Sequence, residues 1–168
     1  ACAAAGLVPV PTSAVLTTAE IGPMADRLAP ALVLAERGIA LPSDLPTAMA
    51  ADLDGPPLPA EDWSRGPADR LAYIVFTSGS GGAPRAVAHA HRAVLARRAM
   101  WDGWYGLDAG DRLLHAGAFN WTYTLGTGLM DPWAIGATAL IPAPGTQAVD
   151  LPALMARHGA TIFAAAPG

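Results

Sequence analysis

Residues 71–84 read Leu71-Ala-Tyr-Ile-Val-Phe-Thr-Ser-Gly-Ser-Gly-Gly-Ala-Pro84. The first six are apolar, with aromatic and β-branched side chains, and read as a buried strand. The rest are small, polar or turn-forming. A loop that leaves a buried strand in this way occupies the position where open α/β sheets bind ligands. Gly79, Gly81 and Gly82 adopt positive φ at little cost, so consecutive backbone N–H groups can converge on one concavity. Thr77, Ser78 and Ser80 add hydroxyl donors, and Arg85 adds a planar fork suited to phosphate oxygens. Three other motifs fail on spacing. A Walker loop needs a lysine and the chain has none; Pro84 stands at the third glycine of a dinucleotide fingerprint; Ser78 stands at the first glycine of a nucleophile elbow. On composition alone, a flexible Gly/Ser turn between two strands fits equally well.

Working outward, residues 7–11 predict an edge strand closed by prolines. Thr17 or Thr18, with Glu20, predicts a helix start; Ile21, Met24 and Leu28 share one helical face, and Pro30 ends it. Residues 31–35 follow as a strand, so residues 1–41 read as a β-α-β unit. Residues 42–67 hold six prolines and read as a surface excursion with a short helix around 47–53. Residues 68–168 carry the strand and loop above. They continue with a strand at 87–91, a helix at 91–105 stopped by Gly106, and a strand at 111–115. A helix at 121–134, a strand at 137–141, a helix at 151–158 and a strand at 160–164 complete the pattern. The alternation predicts an α/β fold, a mostly parallel sheet with flanking helices.

The chain's 168 residues correspond to about one domain on a prior of ~150 residues per domain. It is 52% hydrophobic and 14% charged, enough to fill a core. A net charge of −4 gives no electrostatic footprint for nucleic acid. Cys2 alone cannot build a disulfide framework, and His89, His91, His115 and His158 show no metal-ligand spacing. No apolar run approaches the ~18–20 residues of a membrane helix. The start lacks the basic region of a signal peptide, so a cytoplasmic location is expected. The missing initiator Met and the strand at the other end predict an internal fragment whose exposed sheet would aggregate in isolation. All ten basic residues are arginine, a coding bias rather than a function.

The run Tyr73-Ile-Val-Phe-Thr-Ser-Gly-Ser-Gly-Gly-Ala-Pro-Arg-Ala-Val87 resembles the phosphate loop of the AMP-forming adenylate family. That family includes acyl- and aryl-CoA ligases and the adenylation domains of peptide synthetases. Thr77, Ser78, Gly79, Ser80, Gly82 and Pro84 match its pattern; Gly81, Arg85 and Ala86 stand where Thr, Lys and Gly are usual. Residues 87–92 resemble the His-x-His-Arg entry to the family's next helix. Residues 118–126 and 132–138 are similar to the acyl-pocket helix and following strand of benzoate-CoA-type ligases. The likeness covers nearly the whole chain, which then corresponds to part of the family's N-terminal region.

The resemblance implies ATP-dependent activation of a small carboxylic acid, with Mg²⁺, to acyl-AMP and then to an acyl-CoA. It implies that Thr77, Ser78, Gly79, Ser80, Gly81, Gly82 and Arg85 hold the ATP phosphates, with Arg85 the catalytic cation. It also implies that Phe119, Trp121, Tyr123 and Gly126 border the acid pocket. Core packing competes for Trp121 and Tyr123, Asn120 is expected to cap the helix that follows, and Trp101, Trp104 and Tyr105 are expected in the core. No metal-binding side chain is implied here. Alternatives are a peptide-synthetase adenylation domain and a non-catalytic nucleotide-binding module or truncated remnant. Oligomeric state stays open.

Overall fold

The computed structural model describes residues 2–53, 55–77 and 84–166. Helix α1 (Thr18–Leu28) opens with a reciprocal cap: Thr17 Oγ1 accepts from the Glu20 N–H at 3.3 Å, and Glu20 Oε2 accepts from the Thr17 N–H at 2.8 Å. The sequence expectation of a strand at 7–11 is not met. Pro9 and Pro11 contribute no donors, and the segment makes a single bond to residues 71–77, from the Ile74 N–H to Pro9 O at 3.1 Å. Strand β1 (Val33–Ala35) instead pairs in parallel with β2 (Thr47–Met49). The helix expected around 47–53 is therefore a strand followed by one 3-10 turn, Ala50–Asp52.

Strands β3 (Leu71–Thr77) and β4 (Arg85–Ala90) form an antiparallel hairpin that sets Thr77 opposite Arg85 and Tyr73 opposite His89. The Tyr73 and His89 rings stack at 4.5 Å. Behind the hairpin, Ala72, Tyr73, Val75 and Leu125 make one core cluster. Helix α2 (His91–Ala96) runs into a 3-10 turn (Arg97–Met100) and a π turn (Trp101–Tyr105). Gly106 ends it at φ 61°, a left-handed conformation that glycine adopts without a Cβ penalty.

The remaining strands β5 (Arg112–His115), β6 (Thr138–Leu140) and β7 (Ile162–Ala164) lie parallel in the order β6-β5-β7. Helix α3 (Thr122–Leu125), a π turn (Gly126–Met130) and α4 (Asp131–Ile135) connect β5 to β6, and α5 (Leu151–His158) precedes β7. The fold is thus mixed α/β, with parallel pairings and one antiparallel hairpin. Trp101, Leu107, Leu113 and Ala137 form the second core cluster. The connection leaving β5 goes to one side and the next strand added lies on the other. In open α/β sheets such a reversal marks the usual ligand position, outside the carboxyl ends of the strands. Among the described residues, no helix is long and apolar enough to cross a membrane.

Candidate active site

Two concavities border the elements singled out by the sequence. A cleft of about 500 Å³ is lined by Thr77, Phe76, Pro84, Asn120 and Trp121 on one side and by α1 residues including Arg27 on the other. Thr77 and Arg85 stand at the two ends of the expected phosphate loop, both exposed. Ser78, Gly79, Ser80, Gly81 and Gly82 lie outside the described residues. Arg27 was not expected here; its Nη1 donates to Pro84 O at 3.4 Å and places a second guanidinium beside the loop's exit. Its signal was faint, since Arg27 reads from sequence as an ordinary basic residue in the last turn of α1. Thr77, Arg85 and Arg27 supply a hydroxyl and cationic donors, the donor set that phosphate oxygens require.

The second cavity, about 220 Å³, lies at the carboxyl end of β7. Its walls are Trp104 and Tyr105 from the first π turn, Tyr123 and Thr127 from the β5–β6 connection, and residues 162–165. The Trp104 and Tyr123 rings stack on each other at 5.9 Å and 28°, and together they make one aromatic wall of the cavity. The core role expected for Trp104 is corrected, since it is 53% exposed and lines the cavity; Tyr105 packs against the second core cluster and also lines the cavity.

The residues expected around the acid are therefore divided. Tyr123 lines the smaller cavity, whereas Trp121, 56% exposed, faces the larger cleft with Thr77. Phe119 sits in the turn before α3 and lines neither space. Gly126 is buried and lies against the Arg97 guanidinium. Asn120 does not cap α3. Trp121 holds that position without a side-chain bond, its carbonyl accepting from the Leu125 N–H at 2.8 Å.

Behind the smaller cavity is a polar cluster that the sequence did not disclose. Arg97 Nε and Nη2 donate to the two Asp131 carboxylate oxygens at 2.7 and 2.6 Å, a bidentate pair. Tyr105 donates its phenol proton to Asp131 Oδ2 at 2.6 Å, and Arg97 Nη2 also donates to Thr127 Oγ1 at 3.0 Å. Asp131 is 1% exposed. Burial, followed by the hydrogen bond to the Asp131 carboxylate, raises the Tyr105 phenol well above its ordinary value.

His115, wholly buried at the end of β5, accepts the Gly117 N–H on Nδ1 at 3.0 Å. That bond puts the neutral ring's proton on Nε2, which has no partner among the described residues. Burial holds the imidazole below its usual value, and burial lowers His89 too. Unfolding restores the His115 value near 6.5, so the unfolded chain binds more protons below that pH. Stability should fall as pH drops through 6.5 toward the lowered folded value. The urea midpoint should be lower at about pH 5.5 than at about pH 7.5, and His115→Gln should shrink that difference.

The whole chain, residues 1–168, matches the family model described as AMP-binding enzyme. It is 33% identical over 131 residues to the 3-hydroxybenzoate--CoA/4-hydroxybenzoate--CoA ligase of Thauera aromatica, covering 78% of this chain and 25% of that one. It is 32% identical over 140 residues to the pyochelin synthetase PchF of Pseudomonas aeruginosa (strain UCBPP-PA14), covering 77% of this chain and 8% of that one. The chain therefore spans a quarter or less of the length of these relatives. Among solved structures, the anthranilate CoA ligase AuaEII superposes with a TM-score of 0.79 at 18% identity, over 96% of this chain and 34% of the other. A benzoate CoA ligase from Burkholderia xenovorans LB400 gives 0.78 at 22% identity, over 95% and 35%. These two likenesses show a shared fold, and the family match, with the 33% identity, extends it to descent: the chain belongs to the AMP-binding enzyme family.

Proposed function

We propose that these residues serve an enzyme that activates a compact aryl carboxylic acid with MgATP and passes the acyl group to coenzyme A. In this reading the carboxylate oxygen attacks the α-phosphorus of ATP, acyl-AMP forms and pyrophosphate leaves. AMP is then displaced by the coenzyme A thiol. A carboxylate has no leaving group of its own, and adenylation provides one. Charge gathers on phosphoryl oxygens in the transition state, so positioned donors do most of the catalytic work. Arg85 and Thr77, with the loop between them, hold the phosphates, and no side chain is assigned to Mg²⁺.

The observation that carries the acid class is the 220 Å³ cavity against the stacked Trp104 and Tyr123 rings. A dry protein cavity of about 150 Å³ already accommodates benzene, so this one suits a single ring with its carboxylate and little more. The likeness to a hydroxybenzoate ligase agrees with that size.

A peptide-synthetase adenylation domain is the second reading, favoured by the match to pyochelin synthetase. It needs a carboxylate to face the ammonium of an amino acid. Among the described residues, none lines the smaller cavity, and the Asp131 carboxylate is taken up by Arg97 and Tyr105.

Pyrophosphate release dependent on benzoate, followed by benzoyl-CoA formation, tests the first reading in the complete protein. Transfer to a carrier protein but not to coenzyme A would favour the second. Arg85→Ala should weaken MgATP binding by about 10–100-fold, the loss of charge-assisted hydrogen bonds to phosphate. An unchanged dissociation constant by calorimetry would remove Arg85 from the phosphate site.

A further inference from the structure

The smaller cavity has one hydrogen-bonding feature that its aromatic wall does not explain. Thr127 is 3% exposed and lines the cavity. Its Oγ1 accepts from Arg97 Nη2, so its lone pair faces the guanidinium, and its own proton has no acceptor among the described residues. Arg97 cannot release the contact easily, because Asp131 holds two of its nitrogens in a planar fork and Tyr105 holds Asp131. The hydroxyl is thus polarised by a cation on one side and left with a donor to spend on the other.

Resting on the activation reading above, we propose that Thr127 is a specificity-determining residue. Its hydroxyl donates to an oxygen substituent on the ring of the acid, with Arg97 and Asp131 as positioning residues that aim it. A phenolic hydroxyl offers the acceptor lone pair this donor needs. A ring amino group, whose lone pair is delocalised into the ring, accepts poorly, and a bare ring leaves the donor unpaired. Unpaired buried donors are what make such sites reject the analogue that lacks the group.

The test is kcat/KM for pyrophosphate release by the complete protein with benzoate, the three monohydroxybenzoates and the three aminobenzoates. At least one hydroxybenzoate should exceed both benzoate and its amino counterpart by about tenfold or more, the worth of one good hydrogen bond. Thr127→Val should bring that hydroxy-to-unsubstituted ratio close to 1, whatever the absolute rates become. Thr127→Ser, which keeps the hydroxyl, should restore it. Equal kcat/KM for benzoate and every hydroxybenzoate overturns the proposal and leaves the activation reading standing. So does a preference that survives Thr127→Val. Failure of every acid to release pyrophosphate overturns both.

Discussion

Replacing Asp131 with Ala is expected to lower the unfolding free energy by ~3–5 kcal/mol, a large part of a typical domain's 5–15 kcal/mol. The reason is what remains. Arg97 would keep its charge in a half-buried position with no counter-ion, and Tyr105 would lose the acceptor for its phenol proton. The same argument gives the control. Arg97→Met combined with Asp131→Leu removes both charges and keeps the volume, so the double variant should recover most of the loss. Urea denaturation of the three proteins measures it. A loss under ~1 kcal/mol for Asp131→Ala would mean the pair behaves like an exposed one, and the account of a fixed clamp would be wrong.

The second large effect comes from a single methyl group. A Cβ at Gly126 would lie 2.6 Å from both Arg97 Nη1 and Nη2. The guanidinium cannot swing aside without leaving Asp131. Alanine's better helix propensity, worth ~1 kcal/mol, is then outweighed by overpacking of ~1–3 kcal/mol together with a strained ion pair. Gly126→Ala should therefore destabilise by ~2–3 kcal/mol net. Gly103, in the π turn Trp101–Tyr105, has nothing within 4 Å of an added Cβ and no proline after it, so Gly103→Ala should instead stabilise by ~0.5–1 kcal/mol. Opposite signs for one chemical change, read as thermal midpoints, would confirm that the clamp decides the first. A neutral Gly126→Ala would show that Arg97 relaxes freely.

What could be read from the sequence was what local chemistry dictates. The Thr17–Glu20 cap, the left-handed Gly106 at a helix end, and the apolar run of β3 each declare themselves within a few residues. Strand β2 did not, because Thr47-Ala-Met49 has no periodicity and is extended only through its ladder with β1. Asn120 had the right chemistry for a cap, but α3 starts one residue later, where the Trp121 carbonyl takes the first bond.

The candidate site divides in the same way. Thr77 and Arg85 could be named as candidates because the loop motif is local, and the hairpin register sets them opposite each other. Tyr105, Thr127, Arg97 and Asp131 were missed because their meaning is pairwise. Arg97 and Asp131 are 34 residues apart, and either alone reads as a solvated charge. The one available hint was an aspartate set between Leu129-Met130 and Pro132-Trp133, a charge in apolar surroundings that calls for a partner.

The two π turns have a consequence for how this cavity can vary. Each is a stretch where the helix carries an extra residue, and each delivers wall residues: Trp104 and Tyr105 from one, Thr127 from the other. Taking one residue out of either stretch would return it to regular winding, leave the helix downstream in place and change which side chains the stretch itself turns to the cavity. Substitutions trim the cavity atom by atom, but a one-residue deletion re-indexes it and exchanges one set of side chains for the next around the helix. The wall thus has a coarse adjustment, stepped in whole residues, beside the fine one.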